Sequence, residues 1–264
     1  IGLPKKGKCI AAEELVLLPN GLCKRIADVV QDKDPFVLAL NPKTGQRVTA
    51  PVVAWHTNGK KPCLLVRTKT GREIVTTSAH LYLTENGWRK VKQLKPGSDR
   101  IAVPAALRNV GKKDFDVRKL RLLAYLIADG TMNKYSPWLT KGIDPVIASD
   151  FKNCVVLSMG DEVSSNGPTH YVVNASHLRG KHDCNNTRNW LCSLGLLQKH
   201  SRDKFLPDLL FGLRDDLIAE FLRALFSCDG TIYSTNSKAN KWVIDYSSAS
   251  IKLCRQVQHL LLRL

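Results

Sequence analysis

Leu122-Leu-Ala-Tyr-Leu-Ile-Ala-Asp129-Gly130-Thr131 and Leu222-Arg-Ala-Leu-Phe-Ser-Cys-Asp229-Gly230-Thr231 are two versions of one string. Each is an apolar run of about two helical turns with small residues four apart, Ala124 with Ala128 and Ala224 with Cys228. That spacing puts the small residues on one face and lets two such helices approach closely. Each run closes on Asp followed by Gly, a residue suited to the left-handed conformation just past a helix C-terminus. The carboxylates therefore sit at the negative ends of two helix dipoles. Brought together, they repel each other and both dipoles, which makes sense when a divalent cation fills the gap. Oxygen ligands point to Mg2+. A single Asp-Gly at a helix end is an ordinary turn; its repetition argues for a paired site.

The two strings resemble the paired motifs of LAGLIDADG homing endonucleases, with Asp129 and Asp229 at the final acid. The resemblance implies a pseudo-twofold α/β domain that lays two sheets of mixed strands into the major groove of double-stranded DNA. It also implies that each Asp binds metal and serves one scissile phosphate. A bound cation polarises the phosphoryl oxygen and lowers the pKa of an attacking water, which fits phosphodiester hydrolysis. Charge agrees, since 40 Lys plus Arg against 23 Asp plus Glu leave +17, and phosphate is the natural counter-charge. Residues 1–110 hold 19 basic and 8 acidic residues and 111–264 hold 21 and 15, so charge alone does not locate the DNA-binding face.

Between the repeats, Val155-Val-Leu and Tyr171-Val-Val read as strands of a groove-facing sheet, followed by a basic tract with Arg179, Lys181, His182 and Arg188 that can reach bases and phosphates. His177, His182, Cys184 and Cys192 match no common zinc template. The family often adds a lysine near the metal. Lys199, Arg202, Lys204, Lys238 and Lys241 are available, and the sequence does not choose among them.

Upstream the texture is different. Leu15-Val-Leu-Leu, Phe36-Val-Leu, Val52-Val, Leu64-Leu-Val, Ile74-Val and Ile101-Ala-Val are short strand-like runs separated by turn signals such as Pro19-Asn-Gly, Thr44-Gly and Asn58-Gly, which predicts an all-β domain. Within it, Thr77-Ser-Ala-His80, the following Gly87-Trp88, and Leu94-Lys-Pro-Gly-Ser-Asp99-Arg-Ile resemble the N-terminal splicing block of inteins, and Cys9-Ile10 with Leu15-Val16 resembles an intein's first block. Glu13-Glu14 and the inserted Ser98 depart from the family pattern. The resemblance implies a Hint-type splicing domain in which the Cys9 thiol attacks the Lys8 carbonyl, an N-to-S acyl shift that needs no cofactor. His80 supplies the proton for the departing amine and Thr77 helps hold the distorted peptide. Read singly, a cysteine is a small buried hydrophobe and a lone histidine a structural residue.

The C-terminal splicing blocks are expected to be missing, because residue 264 falls in a helix-like segment; on this reading the chain is an N-terminal fragment with incomplete splicing. The expected domains are 1–8, a remnant of the host protein; 9–107, the first part of the Hint domain; 108–116, a linker; and 117–264, a truncated endonuclease domain. The first eight residues spell Gly2-x4-Gly7-Lys8, a phosphate-binding P-loop lacking only its Ser or Thr, so the host expected is a P-loop ATPase such as a helicase or packaging motor. Eight irregularly spaced cysteines and the lack of a long apolar run point to a reducing cytoplasm and no membrane span; a monomer in a prokaryotic or phage setting is expected. Rival readings are a free-standing endonuclease, which leaves Cys9 and His80 without a task, a non-catalytic DNA-binding protein, which does not need two convergent acids, and an ATPase, which lacks a strand-helix unit after Lys8.

Overall fold

The computed structural model describes residues 9–108, 110–140, 144–176, 184–236 and 241–264. Gly2, Gly7 and Lys8, and His177, Arg179, Lys181, His182 and Lys238, lie outside the described residues. The chain divides into two compact units, with the boundary between Ala105 and Ala106.

The first unit is built of antiparallel hairpins: β1 (Leu15–Leu17) with β2 (Cys23–Arg25), β3 (Phe36–Leu40) with β4 (Arg47–Pro51), β5 (Cys63–Arg67) with β6 (Glu73–Thr77), and β7 (Leu81–Thr84) with β8 (Gly87–Lys90). The turn signals act as read. Gly21 takes a φ of 89° after Pro19-Asn20, and Asn20 Oδ1 accepts the Leu22 N–H at 3.1 Å, an Asx turn that reverses the chain. Val52-Val is not a strand but follows β4 directly, and Ile101 makes only an isolated bridge to Thr84. The expectation of an all-β unit needs correction: α1 (Ile26–Gln31) is a helix. It is too short to leave a periodic signature, and it is anchored by buried Val29 and by Arg25 gripping Asp28 with two nitrogens at 2.7 Å.

The second unit opens with α2 (Val117–Ala128), which starts where the Asp116 side chain accepts the Arg118 N–H at 2.7 Å. β9 (Gly130–Thr131), β10 (Trp138–Thr140), α3 (Pro145–Met159), β11 (Glu162–Ser165), β12 (His170–Asn174) and α4 (Asn186–Ser193) follow, then α5 (Asp215–Asp229), β13 (Gly230–Asn236), β14 (Lys241–Tyr246) and α6 (Ile251–Leu261). One sheet runs β11-β12-β10-β9 and the other is the β13-β14 ribbon. The order helix, strand, strand, helix thus occurs twice, as α2-β9-β10-α3 and α5-β13-β14-α6. The core forms where α2 meets α5 and α3: Leu120, Leu122, Leu123, Ala124 and Leu126 are fully buried, as are Phe221 and Leu225.

Two expectations are overturned here. Val155-Val-Leu lies within α3, not a strand. Asp144 caps that helix by accepting from Val146 and Ile147, Pro145 opens it, Phe151 with Cys154 and Val155 buries one helical face, and left-handed Gly160 (φ 67°) ends it. Arg188 sits on α4, where its Nε donates to the Lys134 carbonyl at 2.6 Å. The sheets are also antiparallel rather than mixed among the described residues. Residues 110–113, in the stretch read as a linker, are tied to the second unit. Val110 is buried, the Lys113 amide donates to the Gly212 carbonyl at 2.9 Å, the Arg214 amide donates to the Lys113 carbonyl at 3.1 Å, and a Cβ on Gly111 would strike the backbone of Gly212 and Leu213.

Candidate functional sites

Asp129 is the C-cap of α2 and Asp229 the last residue of α5. Neither following glycine is left-handed, contrary to expectation: Gly230 has φ −84° and ψ 150°, and Gly130 is not among the positive-φ glycines. Their necessity is steric. Each chain turns straight from the helix into a strand and doubles back on the last turn. A Cβ on Gly130 would lie 2.5 Å from the Leu126 Cα and carbonyl oxygen, and one on Gly230 would strike the Phe226 carbonyl and sit 3.0 Å from its Cβ. The same collision at both positions makes the two Asp-Gly corners equivalent.

α2 and α5 pack on each other, and of their small residues Ala124 and Ala224 are buried and Ala128 and Cys228 half-buried. Lys204 is the residue that the repeat did not reveal. It is buried, and its Nζ donates to the carbonyls of Ile127 at 2.7 Å, Ala128 at 2.9 Å and Gly130 at 2.9 Å, with Leu126 at 3.4 Å. Burial pulls its pKa below the usual lysine value, while the nearby charges of Asp229 and Asp129 act in the opposite sense. One ammonium therefore feels both acids. The sequence named Lys204 as one of five basic residues; what could have singled it out is its place directly before Phe205-Leu206-Pro207, of which Leu206 is fully buried. Lys199, Arg202 and Lys241 are exposed.

Lys204 is itself held in place. Ser250 Oγ donates to its carbonyl at 2.7 Å while accepting the Leu253 N–H to cap α6, and the Gln256 amide pairs with both backbone groups of Leu206. Farther up the helices, Arg121 of α2 bonds Glu220 of α5 at 2.6 Å and Asp150 of α3 at 3.0 Å, and the Tyr125 hydroxyl donates to Asp150 at 2.7 Å. Among the described residues no three His, Cys, Asp or Glu side chains gather as a metal cluster. Two helix-end carboxylates whose charges act on one buried ammonium nevertheless suit Mg2+, which takes one or two carboxylates and keeps its waters.

In the first unit, the Cys9 amide donates to Thr77 Oγ1 at 3.2 Å, the Thr77 amide donates to the Cys9 carbonyl at 3.0 Å, and Thr77 Oγ1 also bonds that carbonyl at 3.3 Å. Cys9 is thus laid along β6, and the register continues through an Ile10 bridge to Thr76 and the Ala11 amide on the Val75 carbonyl. Glu14 is noted above as a departure from the family pattern; its carboxylate fastens this edge by accepting the Val75 N–H at 2.8 Å. His80 stands on the turn that begins at Thr77, whose carbonyl accepts the His80 amide at 3.0 Å, and its ring meets Tyr82 edge-on at 5.5 Å. The structure therefore brings Thr77 onto the Cys9 peptide and puts His80 at the far end of the same turn.

Residues 216–264, which include Asp229, match the LAGLIDADG-like domain family. Over 36% of its length the chain is 31% identical to the crystallised DnaB intein of Synechocystis sp. PCC 6803, covering 67% of that chain with a TM-score of 0.34. The chain belongs to the inteins and carries a LAGLIDADG-like domain. Curated relatives of this intein include the replicative DNA helicase DnaB of Rhodothermus marinus, 30% identical over 98% of the chain and 28% of that protein, and the protein RecA of Mycobacterium tuberculosis, 27% identical over 98% of the chain and 32% of that protein. The intein thus spans about three-tenths of the relatives it matches. No helix among its described residues is long and apolar enough to cross a membrane.

Proposed function

We propose that this intein carries out two chemistries, peptide rearrangement at Lys8-Cys9 in the first unit and site-specific hydrolysis of double-stranded DNA in the second. The peptide half is carried by the three hydrogen bonds between Cys9 and Thr77. The Cys9 thiol gives up its proton as its sulfur bonds to the Lys8 carbonyl carbon, the carbon–nitrogen bond to Cys9 breaks, and His80 gives the departing amine a proton in return, leaving a thioester with no net change in protons. Thr77 Oγ1 accepts the N–H of the scissile amide, while its other bonds hold the Cys9 carbonyl of the next peptide and keep Cys9 laid along β6.

The nuclease half is carried by the reach of Asp129 and Asp229 to one ammonium. These two carboxylates would hold Mg2+, which when bound supplies positive charge for the phosphoryl oxygen and lowers the pKa of water. Lys204 binds the carbonyls at the end of α2 and offsets the repulsion between the acids. The β12-β10-β9 strands and the β13-β14 ribbon would face the DNA grooves. The Gly2-x4-Gly7-Lys8 start supports a P-loop ATPase as host, in keeping with the DnaB and RecA relatives. A monomer in a prokaryotic or phage-infected cytoplasm suits both activities.

The test has two arms. Cys9→Ala should stop dithiothreitol from releasing the first eight residues; continued release would move the nucleophile elsewhere. Asp129→Asn or Asp229→Asn should abolish cleavage of at least one DNA strand while leaving binding intact, and undiminished double-strand cutting would reject the metal-ligand role.

A further inference from the structure

From Pro35 to Arg72 the first unit has seven Lys and Arg residues and no Asp or Glu, so this stretch supplies +7 of the net +17 of the whole chain. It carries β3, β4 and β5, and the next residue, Glu73, opens β6, so the ribbons β3-β4 and β5-β6 together hold seven cations and a single acid. The charges stand at the ribbon ends: Lys43 and Arg47 around the β3-β4 turn, Lys60 and Lys61 ahead of β5, and Lys69 and Arg72 in the β5-β6 turn. That second turn is built firmly. Thr68 and Arg72 close it by a backbone hydrogen bond of 2.9 Å, Gly71 supplies the φ of 79°, and Arg67 pairs with Glu73 at its base. Lys43, Lys60, Lys61 and Lys69 are exposed, and with Arg72 they form no ion pair among the described residues. A solvated surface normally intersperses the two signs; a run of this length with one sign only is suited to a polyanion.

We infer that the β3-β4 and β5-β6 ribbons of the splicing unit are a second binding surface for duplex DNA, gripping its phosphate backbone without reading bases. The geometry fits that polymer. A strand of five residues such as β5 spans about 17 Å, and along that length a duplex presents on the order of ten phosphate charges. Cations at both ends of the ribbon therefore meet phosphates at every register, and binding here needs no sequence match. This surface deepens the proposed DNA cleavage and rests on that reading: it would hold the duplex by a unit that carries none of the nuclease residues.

The test is fluorescence anisotropy of the full chain on a random-sequence duplex at several salt concentrations. Each phosphate contact contributes about 0.9 to the slope of log affinity against log salt. Changing Lys60, Lys61, Lys69 and Arg72 to Gln should lower that slope by about 3 to 4. A control that changes Lys90, Lys92, Lys95 and Arg100 to Gln should leave most of it. Both variants should keep the wild-type melting temperature. An unchanged slope in the first variant, or an equal fall in the control, overturns the localised surface. Absence of any duplex binding by the unmodified chain would instead sink the endonuclease reading on which the inference rests.

Discussion

The Lys204 ammonium donates to the Ile127 carbonyl oxygen at 2.7 Å, placing a buried positive charge at the negative end of the helix that finishes in Asp129. Three N–H groups serve four carbonyls there, so all of its donors are engaged by the backbone. The charges of Asp229 and Asp129 both act on this ammonium.

Removing that charge should therefore cost both stability and cleavage. Lys204→Met leaves several buried carbonyls without a partner and the two acids without an offset, a loss on the order of 3 kcal/mol. Urea unfolding should show a lower midpoint with an unchanged slope, and plasmid cutting should fall to background. A variant that unfolds at the wild-type midpoint would show that the cap contributes little.

Acid should act through Glu220. Its hydrogen bonds to Arg223, and then to Arg121, hold its carboxyl down at about 2. Because the folded value is depressed below the unfolded one, the stabilisation is present above the unfolded pKa of about 4.3 and is lost as pH falls towards 2. The Glu220 side chain keeps 22% of its surface exposed, and solvent screening there weakens the effect. Melting temperatures measured from pH 6 to pH 2 should fall less steeply for Glu220→Gln than for the unmodified intein. Parallel curves would remove Glu220 from the account of acid sensitivity.

The two Asp-Gly corners predict matched damage. Gly130→Ala and Gly230→Ala each drive a methyl into backbone of the preceding helical turn, at Leu126 and Phe226, where no flexible side chain can yield. Each should destabilise by about 1–3 kcal/mol and displace the adjacent Asp. On a nicking assay each should slow one DNA strand more than the other. Equal retention of both strands' cleavage would mean that the corners tolerate the shift.

The repeat was legible because one apolar string with small residues four apart can do little but bury itself against a second copy, and Ala124 and Ala224 do so. The hairpins were legible through their turns, as at Gly21, Gly45 and Gly59. Val155-Val-Leu misled because a short β-branched run carries no period of its own. What decides it is the Asp144 cap eleven residues before Val155, which starts a helix long enough to absorb the run. The glycine corners were found for the wrong reason, since sequence marks that a side chain is unwelcome but not whether torsion or crowding forbids it. Lys204 was beyond reach because its role depends on four carbonyls more than seventy residues away in the chain.

Thr77 offers the cleanest separation of chemistry from folding. Its hydroxyl accepts the Cys9 amide N–H, whose nitrogen leaves in the proposed acyl shift, at 3.2 Å, while its own amide separately holds the Cys9 carbonyl at 3.0 Å. Thr77→Val keeps that amide and the strand-favouring branched shape but deletes the hydroxyl. One hydrogen bond is worth about 1 kcal/mol, so dithiothreitol-induced release of the first eight residues should slow roughly tenfold if the bond tightens as the peptide distorts. Thr77→Ser restores the oxygen and should recover most of the rate. Melting temperature should move little in either variant, because the β6 edge keeps the Ile10 bridge and the Glu14 bond to Val75. A Val variant that releases the segment at the unmodified rate would reduce Thr77 to a structural residue and leave the proton from His80 as the main assistance to Cys9.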